Sequence, residues 1–102
     1  MKANPGYVAA KAGVSGLTRA LALDHGPNGV RVNCVAPGPI RTSLMRRNRT
    51  PEEISVMGQL AIAGRIGEPE EIAAGIVWLA SDASSYVMGQ TIEIDGGPSS
   101  LI

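Results

Sequence analysis

Two runs rich in β-branched residues, "VRVNCVA" and "TIEI", are each reached through stretches with helical spacing. Helical stretches feeding short strand-like runs are the pattern of an α/β fold with a parallel sheet. "NPGYVAAKAGVSGLTRALALDHG" predicts the first helix. Asn4 can cap it, Pro5 suits the first helical position, and Gly26 can end it. Val14, Leu17 and Leu21 recur on one face. "GVRVNCVAPG" predicts a strand stopped by Pro37 and Gly38. "TPEEISVMGQLAIAG" opens as a helix with Thr50 as cap, Pro51 behind it and Glu53 three residues on, which is a capping box. "EPEEIAAGIVWLASD" repeats that start with Pro69 and Glu71. Its Ile72, Ala73, Ile76, Val77, Leu79 and Ala80 predict a broad apolar face. "GQTIEIDGG" predicts a short last strand. No internal repeat, low-complexity segment or linker interrupts the series.

Composition narrows the function classes. The chain has 102 residues, 44% of them hydrophobic and 18% charged, with a formal net charge of zero. That length suits one small domain with a modest core. The balance predicts a soluble globular protein, and it lacks the basic excess that usually marks a nucleic-acid binder. No apolar run reaches membrane-spanning length, and Met1-Lys2 runs into "ANPGYVAAK" without a secretory leader pattern. The single Cys34 fits a reducing cytoplasm. It lies in the apolar run "VNCVAPG", where a buried structural thiol is preferred over a nucleophile.

"YVAAK" places a phenol and an ammonium four residues apart on the first helix. Residues i and i+4 share a helix face, about 5–6 Å apart at Cβ. Free tyrosine ionises near pH ~10, too high for a good base at neutral pH. A neighbouring ammonium and a position in the first helical turn both favour the tyrosinate. The spacing suits a tyrosine that exchanges a proton with a substrate oxygen while Lys11 tunes it and binds a ligand hydroxyl. Spacing alone still favours the plainer reading of an amphipathic tyrosine and a surface lysine.

The surrounding residues change that balance. "YVAAKAGVSGLTRALALDHGPNGVRVNCVAPGPIRT" and "GRIGEPEEIAAGIVWLASDASSYVMGQTIEIDGG" resemble the short-chain dehydrogenase/reductase family in order and spacing. Only about Ser43 to Ala63 matches weakly, where that family has a variable substrate lid. The resemblance implies the C-terminal portion of a Rossmann-like parallel-sheet fold, helix–strand–helices–strand, and incomplete. Residues 1–102 would form a single partial domain. The activity implied is NAD(P)-dependent hydride transfer between an alcohol and a carbonyl compound. Tyr7 would be the general acid/base. Lys11 would hold the nicotinamide ribose hydroxyls and depress the tyrosine pKa. The loop "PGPIRT" would lie beside the nicotinamide, with the Ile40 backbone on the carboxamide and the Thr42 hydroxyl on the carboxamide or pyrophosphate. Pro37 and Gly38 would shape that loop. Read without the resemblance, Pro37, Gly38 and Pro39 are a strand-ending turn.

A dinucleotide site usually needs a glycine-rich turn that lets the backbone approach the pyrophosphate. No two glycines here are separated by a single residue, so neither G-x-G-x-x-G nor the family's G-x-x-x-G-x-G can be read. The family's upstream catalytic serine and asparagine have no counterpart in the six residues before Tyr7, and Asn4 is explained as a cap. The isolated chain is therefore expected to be inactive and a doubtful binder of NAD or NADP alone. Other candidates are weaker. His25 sits at a helix end, and with Cys34 it falls short of a zinc ligand set, so no metal site is expected. Glu52/Glu53 and Glu70/Glu71 are adjacent and do not face each other; helix-start electrostatics explains them. Arg41, Arg46, Arg47 and Arg49 form a basic cluster that could attract an anionic substrate, but a solvated face is preferred.

Three functions stay open: a short-chain oxidoreductase acting on a small alcohol or carbonyl substrate, a non-catalytic oligomerisation module, and half of a split enzyme completed by another chain. An exposed strand edge at Val30, Val32, Cys34 and Val35, and a small-residue helix face at Ala9, Ala12, Gly13 and Gly16, predict a homo-oligomer or a complementing chain. No nucleic-acid or membrane partner is expected, and the location expected is cytoplasmic.

Overall fold

The computed structural model describes residues 4–97. The element order is α1 (Pro5–His25), β1 (Cys34–Pro37), α2 (Ser43–Asn48), α3 (Pro51–Gln59), α4 (Pro69–Ala80) and β2 (Thr91–Ile94). β1 and β2 form a two-stranded sheet. The Cys34 N–H donates to Gln90 O and the Gly38 N–H donates to Ile94 O. Four residues on along one strand meet four residues on along the other, so the strands run parallel. A helix-rich chain with a short parallel two-stranded sheet is a partial Rossmann-like α/β fold. The described residues divide into two compact units, one of residues 4–35 and 76–92, the other of 36–75 and 93–97.

In the first unit, α1 begins as its sequence dictates. Asn4 is the N-cap, its side chain accepting from the Tyr7 N–H at 3.0 Å, and Pro5 follows. Gly26 closes the helix in a right-handed conformation, and a 3-10 turn over Gly26–Asn28 continues the chain. The residue that takes the left-handed conformation is Gly29, with φ 84°. The strand begins at Cys34, later than its β-branched run; ahead of it, Val32 O accepts from the Gly89 N–H at 2.8 Å, and the side chains of Arg31 and Asn33 reach the segment after α4. The Arg31 guanidinium donates to Leu79 O at 2.9 Å, to Ser81 O at 3.0 Å, and to Ser84 O and Oγ at 3.0 and 3.1 Å. It thereby ties off carbonyls left open where α4 ends. The Asn33 side chain donates to Val87 O and accepts from the Gln90 N–H. Ser15 and Thr91 join their hydroxyls at 2.8 Å, linking α1 to β2. The buried residues described in this unit are polar, Thr18 and Ser84. Thr18 satisfies itself by donating to Val14 O, and the Ser84 hydroxyl lies 2.8 Å from Trp78 O.

The second unit holds the buried apolar side chains, Ile54 of α3 and Ile66. Thr50 and Glu53 form the expected capping box: the Glu53 N–H donates to Thr50 Oγ1, and the Thr50 N–H donates to the Glu53 carboxylate. α3 stops at Gln59, short of the predicted stretch, as the chain turns back against it. A Cβ on Gly58 would lie 2.7 Å from Arg65 Cα and 2.8 Å from Ile66 N, so only glycine admits that return. α2 was not expected from sequence; Thr42 caps it, accepting from the Met45 N–H at 3.1 Å. The apolar face predicted for α4 is only partly covered. Ile72 and Leu79 are half-buried, whereas Ile76 is 52% and Val77 67% exposed.

Candidate active site

Tyr7 lies in the first turn of α1 and Lys11 one turn later, so the helix puts both on one face. The capping bond to Asn4 engages the Tyr7 backbone and leaves the side chain 60% exposed. Lys11 is half-buried. The phenol can meet a small molecule, and the ammonium stands one helical turn behind it.

The loop following β1 has a more constrained geometry. Gly38 passes against the end of β2: a Cβ there would lie 2.7 Å from Asp95 Cα, and its N–H is bound to Ile94 O. Gly38 is thus required by close packing, and Pro37 ends the strand before it. Ile40 pairs with Gly67 in an isolated parallel bridge. The bonds of that bridge come from the flanking residues: the Gly67 N–H donates to Pro39 O at 2.9 Å, and the Arg41 N–H donates to Gly67 O at 2.8 Å. In a parallel bridge the central residue's own N–H and C=O point to the opposite side. Those of Ile40 make no hydrogen bond among the described residues. The extended backbone therefore offers a donor and an acceptor side by side, as a primary carboxamide requires. Thr42 follows. Capping α2 uses one lone pair of its hydroxyl and keeps the O–H able to donate.

The residues lining a cavity of about 50 Å³ include Pro39, Ile40, Arg65, Glu71, Ile72 and Ile94. Two ion pairs flank it. Arg41 Nε lies 2.8 Å from Glu68 Oε1. Arg65 meets Glu71 with both prongs of its fork, at 2.7 and 2.9 Å. The Glu71 carboxylate also accepts the Glu68 N–H at 3.0 Å. The Arg65 guanidinium, and then the Glu68 N–H, hold the Glu71 carboxyl down at about 2, while Glu71 in turn raises Arg65. Glu53 is likewise lowered, first by the Thr50 N–H.

The structure thus brings Tyr7 and Lys11 onto one helix face, and Ile40 and Thr42 into one loop. Sequence reasoning placed Arg41 in a basic cluster with Arg46, Arg47 and Arg49, but Arg41 is paired to Glu68. The pairings of Arg41, Arg65 and Arg31 were not anticipated; each spans a turn or a crossover and follows no helical or strand spacing. Cys34 is a half-buried free thiol. Among the described residues no group of three or more His, Cys, Asp or Glu is placed to hold a metal ion, and no helix is long and apolar enough to cross a membrane.

A family model described as enoyl-(acyl carrier protein) reductase matches residues 1–99. Among curated proteins, the chain is 45% identical over 92 residues to 3beta-hydroxysteroid dehydrogenase 1 of Eggerthella lenta, covering 89% of this chain and 35% of that protein. It is 49% identical over 92 residues to meso-2,3-butanediol dehydrogenase of Serratia marcescens, covering 89% of this chain and 36% of that protein. It is 45% identical over 91 residues to a 3-oxoacyl-[acyl-carrier-protein] reductase of Pseudomonas aeruginosa, with shares of 89% and 36%. The chain spans about a third of the length of these relatives.

Proposed function

As the chain belongs to the short-chain dehydrogenase/reductase family of oxidoreductases, we propose that it supplies the acid/base and nicotinamide-loop portion of an NAD(P)-dependent alcohol or carbonyl oxidoreductase. The nicotinamide cofactor would supply or accept the hydride. In reduction, Tyr7 Oη would donate its proton to the carbonyl oxygen; in oxidation it would take the hydroxyl proton back. Lys11, one turn along the same face, would hold the ribose hydroxyls. The Ile40 N–H and C=O would pair with the carboxamide, and the Thr42 O–H would donate to a carboxamide or phosphate oxygen.

The observation that carries this reading is the exposed Tyr7 side chain in the first turn of a capped helix, with Lys11 sharing its face. The fit of the cofactor rests on Ile40, whose peptide groups are turned away from the bridge that anchors them. The substrate is a small alcohol or carbonyl compound; the relatives' names span a hydroxysteroid, a butanediol and an acyl-carrier-bound oxoacyl group. These 102 residues contain no glycine-rich dinucleotide turn, so the chain alone does not turn over NAD(P)H at an enzymatic rate. Catalysis would need such a turn supplied in the same chain or by another, and the complete protein is the form so completed.

A second reading, association, is favoured by α1. Val8, Val14 and Leu17 are each more than half exposed, and a Cβ added at Gly13 or Gly16 meets nothing within 4 Å. The chain therefore associates with a second copy or with a complementing chain. Two measurements test the proposal. Lys11→Ala in the complete protein raises the KM for NAD(P)H and lowers the rate; unchanged values for both refute the assignment. Sedimentation at low micromolar concentration shows association; a compact monomer with cooperative unfolding contradicts it.

A further inference from the structure

The loop from Pro39 to Thr42 leaves the sheet at Gly38, and its backbone anchorage beyond that point is the pair of hydrogen bonds to Gly67. Both main-chain bonds fall on one residue, Gly67. A second attachment stands beside them. Arg41, which donates its backbone N–H to Gly67, also extends its side chain so that Nε meets Glu68 Oε1 at 2.8 Å. Glu68 is itself immobilised. Its N–H is held by the Glu71 carboxylate, and that carboxylate is gripped by both prongs of Arg65. The series Arg65–Glu71–Glu68–Arg41 thus ties the loop to the first turn of α4.

We infer that Arg41 and Glu68 are positioning residues, a clasp that fixes the register of residues 39–42 and so aims the Ile40 N–H and C=O and the Thr42 hydroxyl at the cofactor. This rests on the reading of that loop as the nicotinamide loop. Backbone bonds flanking Ile40 set its direction, and the ion pair keeps those bonds closed. The pair is partly solvated, with about 37% of the Arg41 and 41% of the Glu68 side chain exposed. Salt and single substitutions therefore loosen it by small, measurable factors.

The test uses Arg41→Ala, Glu68→Gln and the reversed pair Arg41→Glu/Glu68→Arg, with two readouts. The first is amide hydrogen exchange at Gly67, whose N–H closes the bridge. Each single variant speeds it by about two- to five-fold, the size expected of an exposed ion pair; the reversed pair restores it. The second is the KM for NAD(P)H against kcat in the complete protein. KM rises by a similar factor while kcat holds, and raised salt brings the wild type toward the single variants. Unchanged exchange in the single variants overturns the clasp, whatever KM does. Faster exchange with an unchanged KM leaves the clasp standing and overturns the reading of 37–42 as the nicotinamide loop. Singles and reversed pair behaving alike overturn the ion-pair mechanism.

Discussion

Replacing Arg31 by Met keeps an unbranched stem of similar reach and removes the whole guanidinium fork. Four contacts within 3.1 Å disappear, to Leu79 O, Ser81 O, Ser84 O and Ser84 Oγ. A hydrogen bond to a charged group contributes about 1.5–3 kcal/mol when buried and partnered. Four would sum to about 6–12 kcal/mol, but bonds sharing one group are not additive, and the half-buried site admits water to the stranded carbonyls. A net loss of about 3 kcal/mol is the consistent figure, the upper end for a hydrogen bond to a charged group. At about 4–8 °C per kcal/mol for a chain of this size, the melting temperature falls by about 12–24 °C. Arg31→Lys keeps the charge but loses the fork, so its loss lies between zero and that of Met. Urea unfolding followed by far-UV circular dichroism measures the change, and Trp78 fluorescence reports the α4 end directly. A loss under about 0.5 kcal/mol for Arg31→Met, the range of an ordinary surface substitution, would refute the clamp.

Glycine positions separate packing from conformation. Gly58→Ala forces a Cβ into the backbone at Arg65 and Ile66 and lowers stability by about 1–3 kcal/mol in urea unfolding; a neutral result removes the close crossing. Gly13→Ala meets open space and raises α1 stability by about 0.5–1 kcal/mol, read by circular dichroism. The Glu71 carboxyl is held near 2 in the folded chain against an ordinary 4.5. A lowered folded-state value means stability present above about pH 4.5 and lost as pH falls toward 2. Glu71→Gln flattens that part of the stability–pH curve; parallel curves for variant and wild type contradict the pairing with Arg65.

What the sequence made legible was local. Asn4 and Pro5, and Thr50, Pro51 and Glu53, announce helix starts because a cap is a contact over three residues, and both helices begin there. The helix–strand–helices–strand order could be read for the same reason. Strand extent could not, since β propensity reports a half-buried surface and says nothing of partners. Val30 to Asn33 carry the pattern of a strand, but β1 begins only at Cys34, and Arg31 and Asn33 send their side chains to residues about fifty positions away. Only a structure shows such contacts. The same holds in the site. Tyr7 and Lys11 are visible as spacing, whereas the outward-turned peptide groups of Ile40 follow from a single bridge to Gly67. Gly38 and Gly58 looked like turn or helix residues, yet neighbouring backbone demands both.

The account stands on Tyr7 as the proton-transferring group. The most direct measurement is steady-state NAD(P)H turnover by the complete protein, wild type against Tyr7→Phe, with cofactor affinity measured alongside. Phenylalanine keeps the ring on the same helix face and deletes only the hydroxyl. A general acid/base contributes about 10²–10⁴-fold, so the rate falls by that factor while cofactor affinity holds nearly constant. Equal turnover by wild type and Tyr7→Phe would contradict the assignment.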